Sequence, residues 1–203
     1  MYKGRRVFVV APAYNEEQKI GEVVRRSLCD FVDTVLIVDD GSTDRTAQVA
    51  TEAGAEVLTL ARRVGVGAAL RAAYAHARET GHDIAVILAG NNKDEPREIP
   101  RLLDPICDDD CDLVMGSRFV PGGVYGGDMP LYRKLATRVH PWLMSRFVGK
   151  KLTESTNGFR AFKLSLLDDP RIRLDQRWLD HYGLEIYQLC TVITLGYNHP
   201  DVP

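Results

Sequence analysis

Two adjacent carboxylates, Asp39 and Asp40, follow directly on the apolar run Val35, Leu36, Ile37, Val38 and precede Gly41, Ser42, Thr43 and Asp44. Such a run reads as a strand buried on both faces, the pattern of a parallel sheet covered by helices. The acids then stand at its carboxyl end, where open α/β sheets bind their ligands. There they either accept hydrogen bonds from a ligand or cap the next helix, since Ser42, Thr43 and Asp44 are all N-cap types. A second strand, 7–11, runs into Pro12, Tyr14, Asn15 and Glu16 at the same edge. An aromatic ring beside carboxylates suits a nucleoside, with the ring on the base and the acids on ring nitrogens or ribose hydroxyls. Asn15 and Glu16 equally suit a helix start.

Further along, Arg62, Arg63, Gly65 and Gly67 follow a third strand. Leu70 stands where a dinucleotide-binding loop needs its third glycine, so a tight turn that brings Arg62 or Arg63 to the site is the better reading. Between 131 and 152 there is no acid, while Arg133, Lys134, Arg138, Arg146, Lys150 and Lys151 supply six positive charges. Leu131, Leu135, Val139, Trp142 and Leu143 recur there at helical spacing, and Pro141 is expected to kink or interrupt the helix. A basic amphipathic helix of this kind lies on an anionic membrane surface, or else buries its stripe in the core and wets its charges.

The elements that position these groups alternate. Strands are expected at 7–11, 35–38, 56–60, 84–88 and 112–115, and helices at 17–29, 44–53, 67–79 and 99–107. Strict alternation implies a mostly parallel α/β sheet wound by right-handed crossovers. After Gly116 a glycine-rich loop, 121–129, leads into the basic segment and a polar cluster from Ser155 to Arg160. The 203 residues read as a single domain, with one half over 1–116 and a second over 117–203.

Composition narrows the classes. A chain that is 45% hydrophobic and 27% charged, with a net charge of -2, is an ordinary soluble globular protein and no bulk binder of nucleic acid. Cys29, Cys107, Cys111 and Cys190 lack zinc or disulfide spacing, so they read as reduced thiols of a cytoplasmic protein. No stretch of ~18 apolar residues spans a membrane, and the N-terminus lacks the apolar length of a signal peptide.

Taken in order, Pro12-Ala13-Tyr14-Asn15-Glu16, Val38-Asp39-Asp40-Gly41-Ser42-Thr43-Asp44, the turn from Arg63 to Arg71, Gly116-Ser117-Arg118 and Asn157-Gly158-Phe159-Arg160-Ala161-Phe162 resemble family 2 glycosyltransferases of the GT-A fold. The likeness is greatest to the branch that moves sugars to dolichyl or polyprenyl phosphate. The resemblance implies a Rossmann-like GT-A sheet, with 1–116 as the nucleotide-sugar half and 117–203 as the acceptor half. It also implies an inverting transfer of a hexose from a nucleoside diphosphate sugar to a lipid phosphate, without an organic cofactor. Pro12, Tyr14, Glu16, Val38, Asp40, Ala89, Gly90, Asn91, Lys93 and Arg118 would hold the donor. Arg133, Asn157 and Arg160 would face the acceptor. Peripheral attachment to the inner face of a membrane is then expected, and the oligomeric state stays open.

One segment departs from the family. Where relatives carry Asp-x-Asp for a divalent cation, followed by a glutamine, this chain has Ala89-Gly90-Asn91 and then Lys93. Asn91 is left as a weak ligand, so dependence on magnesium or manganese should weaken. Lys93, Asn91 and Arg118 would then carry catalysis by opposing the diphosphate charge, unless Asp94 and Glu95 swing in to restore a metal. Glu185 matches the helix where relatives acting on hydroxyls place a base, which an ionised phosphate acceptor does not need. The alternatives are transfer to a soluble glycan acceptor and a nucleotide-sugar-binding protein without catalysis. The chain ends at Pro203, where such relatives continue, which leaves room for a further C-terminal segment or membrane anchor.

Overall fold

The computed structural model describes residues 1–123 and 131–203, apart from the side chains of Leu131, Arg133 and Lys134. Seven strands form one sheet: β1 (Val7–Ala13), β2 (Thr34–Asp39), β3 (Glu56–Thr59), β4 (Ile84–Ile87), β5 (Leu113–Gly116), β6 (Arg160–Lys163) and β7 (Asp201–Val202). Their order is β3-β2-β1-β4-β6-β5-β7, and β3, β2, β1 and β4 are mutually parallel. The helices are α1 (Ile20–Ser27), α2 (Thr46–Glu52), α3 (Val66–Glu79), α4 (Ile99–Asp108), α5 (Leu131–Val148) and α6 (Leu184–Thr194).

Strand alternation sorts the core into two layers. Val7, Val9 and Ala11 of β1, with Val35, Ile37, Ile84 and Val86, pack against α1, α2 and α4. Phe8 and Val10, with Leu36, Val38, Ala85 and Ile87, pack against α3 and α6. Both faces are therefore covered, which is why the central strands are apolar at every position rather than every second one.

The expected five strands are present, each within two residues of its expected ends. Two further strands are not in that reading. β6 runs antiparallel to both of its neighbours, β4 and β5, and β7 pairs parallel with β5. The four residues of β6 begin with Arg160 and end with Lys163, so its two inner apolar positions are too few to stand out. α5 continues through Pro141. The expected loop at 121–129 lies largely outside the described residues.

Candidate functional site

Registry brings the first two polar clusters together. Ala13 of β1 lies beside Asp39 of β2, and the Asp40 amide donates to the Ala13 carbonyl at 2.9 Å, so both strands finish at one edge. Asn15 adopts φ +54, a left-handed turn that asparagine tolerates. Its Oδ1 accepts the Thr43 amide at 2.9 Å and its own amide donates to Ser42 Oγ at 2.9 Å, tying the two loops.

Asp40 is buried, and both of its oxygens are used by main chain: Oδ1 accepts from Val64 N at 2.7 Å and Oδ2 from Gly65 N at 2.9 Å. Gly41, at φ +70, leaves room for this turn, because a Cβ there would meet Arg62 C at 2.5 Å. The turn so pinned carries Arg63, whose guanidinium carbon lies 4.2 Å from the Tyr14 ring centroid. That stacking is a cation–π contact. Pro12, Tyr14, Asp40 and Arg63 line a cleft of about 390 Å³, together with His181 and Tyr182.

His181 is not legible as a site residue in the sequence, and Tyr182 is read there only beside Glu185, in the helix that the resemblance matches to a catalytic base. They arrive from more than a hundred residues away because Leu179 is buried, the Asp180 carbonyl accepts the Ala68 amide at 3.0 Å, and Asp180 pairs with Arg71. Only the glycine turn at the head of α3 hints that something packs on it.

Two donor assignments at this edge, Val38 and Glu16, lie outside the cleft lining. Val38 is fully buried among the α3-side core residues, so it offers the cleft no side-chain atom. Glu16 pairs with Lys19 at 3.4 Å and its amide donates to Thr46 Oγ1 at 2.8 Å, which makes it part of the loop tie and not of the cleft lining.

The β4 end is built differently. Gly90 packs on β1, where a Cβ would meet the Pro12 carbonyl oxygen at 2.5 Å. Asp94 Oδ2 accepts the Ala89 amide at 2.7 Å. Burial raises the Asp94 pKa, and the Ala89 hydrogen bond and nearby Lys93 oppose that shift only in part. Glu95 is drawn away by Arg26 of α1 at 2.6 Å, and Arg26 also donates to Asn92 Oδ1 at 2.5 Å. Lys93 is left exposed between these anchors, while Asn91 Oδ1 is buried with no hydrogen-bond partner in the described structure.

This donor set is thin for a hard divalent cation, which is commonly held by one or two carboxylates together with substrate phosphates. It holds one neutral amide oxygen and one carboxylate already committed to an amide, and Glu95 faces Arg26. Among the described residues no three His, Cys, Asp or Glu side chains gather as a metal-binding group.

Arg118 reaches Glu154, which is fully buried, at 2.7 Å, and Thr156 Oγ1 at 3.0 Å. The other Glu154 oxygen accepts the amides of Ser155 and Thr156. Arg118 thus brings a partly neutralised charge, and its partner Glu154 is a residue the sequence reading missed. The two acceptor assignments in this stretch, Asn157 and Arg160, are engaged with main chain. Asn157 spends its amide on the Gly116 carbonyl at 2.9 Å and the Phe159 amide at 3.3 Å. Arg160 is 1% exposed and donates to the carbonyls of Asn157 and Glu185. Both hold the loop from beneath. Arg133 lies outside the described side chains.

A mostly parallel sheet with its cleft at the carboxyl ends of β1 and β2 is the architecture of GT-A glycosyltransferases. Glucosyl-3-phosphoglycerate synthase from Mycobacterium tuberculosis, solved in complex with Mn2+, UDP and glucosyl-3-phosphoglycerate, superposes with a TM-score of 0.70 and 26% identity, covering 98% of this chain and 70% of that one. Residues 8–169 match the family described as Glycosyl transferase family 2. The undecaprenyl-phosphate mannosyltransferase of Micrococcus luteus is 33% identical over 208 residues, covering 98% of this chain and 82% of the relative. The polyprenol monophosphomannose synthase of Mycolicibacterium smegmatis is 30% identical over 210 residues, covering 98% and 76%. The chain belongs to glycosyl transferase family 2 and is a glycosyltransferase.

Proposed function

We propose that the protein moves a hexose from a nucleoside diphosphate sugar to a polyprenyl phosphate, with inversion, while held peripherally at a membrane. The observation that carries this reading is the cleft where Arg63 stacks on Tyr14, at the edge where this fold binds donors. The names of these two relatives support the lipid phosphate.

In this reading an acceptor phosphate oxygen attacks the anomeric carbon as the bond to the diphosphate oxygen breaks, and the nucleoside diphosphate departs with the electron pair. The attacking oxygen is already ionised near neutral pH, so no side chain has to remove a proton. Charge grows on the leaving diphosphate, and the Lys93 ammonium opposes it, with Arg118 assisting from its pair with Glu154. Asp40 acts through the 63–65 turn, which places Arg63 over the base. Dependence on a divalent cation is correspondingly weakened.

The test uses purified protein, labelled nucleotide hexoses and a polyprenyl phosphate, and follows label extracted into organic solvent with chelator and then with Mn2+. Transfer that persists in chelator is expected. Labelled lipid formed only after Mn2+ is restored overturns the role of Lys93, and no transfer from any nucleotide sugar that thermally stabilises the protein overturns the activity. A soluble phosphorylated acceptor is the second reading, favoured by the phosphoglycerate product in the solved relative. A rate that is independent of lipid chain length would select it.

A further inference from the structure

We infer that Arg26 is a positioning residue of this site, which holds the loop after β4 so that the Lys93 ammonium faces the departing diphosphate. This role deepens the proposed function and rests on the part given there to Lys93.

Arg26 stands in the last turn of α1, a helix fixed by the buried residues Ile20, Val23 and Val24. Its neighbour Arg25 is taken up by Glu22 at 3.1 Å within the same helix, whereas Arg26 crosses to the β4 loop. There the two ends of one guanidinium reach different residues: Nη1 donates to Asn92 Oδ1 at 2.5 Å and Nη2 to Glu95 Oε2 at 2.6 Å. Those two residues flank Lys93 and Asp94. A single exposed ion pair contributes little. A planar fork that bridges two points of a loop also fixes their spacing, which a flexible ammonium in its place would not.

The rest of the loop is held as well. Asn92 bends the chain at φ +62, a left-handed conformation that asparagine tolerates. Asp94 Oδ2 accepts the Ala89 amide at 2.7 Å, Gly90 lies against Pro12 of the cleft lining, and Pro96 is buried. Asn92, Asp94 and Glu95 are thus anchored, while Lys93 is exposed and makes no hydrogen bond or ion pair with a described residue. Lys93 and Arg118 both act on the Asp94 carboxyl, lowering its pKa against its burial, which gathers two cations at this end of the edge. Two tasks are so divided. Arg26, which does not line the cleft, fixes the loop, and Lys93 supplies the free charge.

A double-mutant cycle in chelator tests this, with UDP and GDP as probes. Calorimetry of the better-bound diphosphate and kcat of hexose transfer are measured for Arg26→Ala, Lys93→Met and the two combined. Arg26→Ala is expected to lower kcat about tenfold and to weaken the diphosphate about fivefold, with a thermal midpoint lower by no more than about 3 °C. In the Lys93→Met background the same change is expected to move either quantity by less than about twofold, because its route is already cut. Arg26→Lys, which keeps one of the two bonds, should fall between parent and Arg26→Ala. Equal losses in the two backgrounds, no loss from Arg26→Ala, or its recovery by added Mn2+ would each overturn the positioning role and leave the proposed function standing. Lys93→Met with unchanged affinity and kcat, or a parent protein that binds neither diphosphate, would instead overturn the donor reading of this edge and the positioning role with it. Diphosphate binding that follows the cycle without any transfer would overturn the enzymatic reading alone.

Discussion

At the carboxyl ends of β1 and β2 each aspartate is answered by main-chain amides, Asp39 by Ser42 at 3.1 Å and Asp40 by Val64 and Gly65. The end of β4, on the same sheet edge, ends in a loop clamped by Arg26 that leaves Lys93 exposed and Asn91 Oδ1 unpartnered. One part of the edge thus has its carboxylates satisfied by main chain, and the other leaves an ammonium exposed and an amide oxygen unpartnered in the described structure. Pre-organisation is cheapest where the ligand's shape is constant, as with a nucleoside, and open charge suits the diphosphate where bonds change.

That contrast is open to attack from both ends. Asp40→Ala leaves two amides unpaired, Gly65 buried and Val64 partly buried, so urea unfolding should register a loss of about 2–4 kcal/mol, together with loss of nucleotide stabilisation; an unchanged midpoint would mean the turn holds itself. Lys93→Met should lower kcat by about 10²-fold with little effect on stability, and added Mn2+ should not restore it. The same substitution with full activity would return the diphosphate to some other cation. Arg63→Ala removes the contact on Tyr14 and should weaken nucleotide binding by about tenfold in calorimetry, leaving kcat at saturation nearly intact.

The smallest effect concerns Asp94, whose burial raises its pKa above the ordinary 3.8. The protonated form is the one the fold favours, so its contribution is complete below that ordinary value and is lost as pH rises through the raised one. Asp94→Asn keeps an acceptor for the Ala89 amide and removes the buried charge. Thermal midpoints of variant and parent should therefore coincide in acid and separate toward neutral pH, the variant being higher; a gap that is constant with pH would place the effect in packing instead.

Much of the sheet was legible because strands covered on both faces are written as unbroken apolar runs, as in Val35 to Val38. The convergence of Tyr14, Asp40 and Arg63 was legible for the same reason, since parallel strands deliver their loops to one edge. What the carboxylate touches there was not: Asp40 meets amides from residues 64 and 65, a contact that only the folded turn creates. Asn157 and Arg160 are assigned to the acceptor by resemblance, with a simple turn as the alternative, and in the fold they bind carbonyls and amides of their own chain. The stripe on α5 reads identically whether it faces core or solvent, so only coordinates choose between the two.

The antiparallel β6, set between β4 and β5, also orders events in time. As the chain leaves the ribosome, β1 to β4 can pair as soon as Ile87 emerges, but the next partner of β4 does not exist until Lys163 does, and β5 reaches the sheet only through it. Over that interval Ile84, Ala85, Val86 and Ile87 form an open, wholly apolar edge, the kind that recruits strands from other chains. Closing it late, through a long-range contact, slows folding and ties its yield to concentration. Synthesis that stalls between Ile87 and Arg160 leaves that edge of β4 without its second strand.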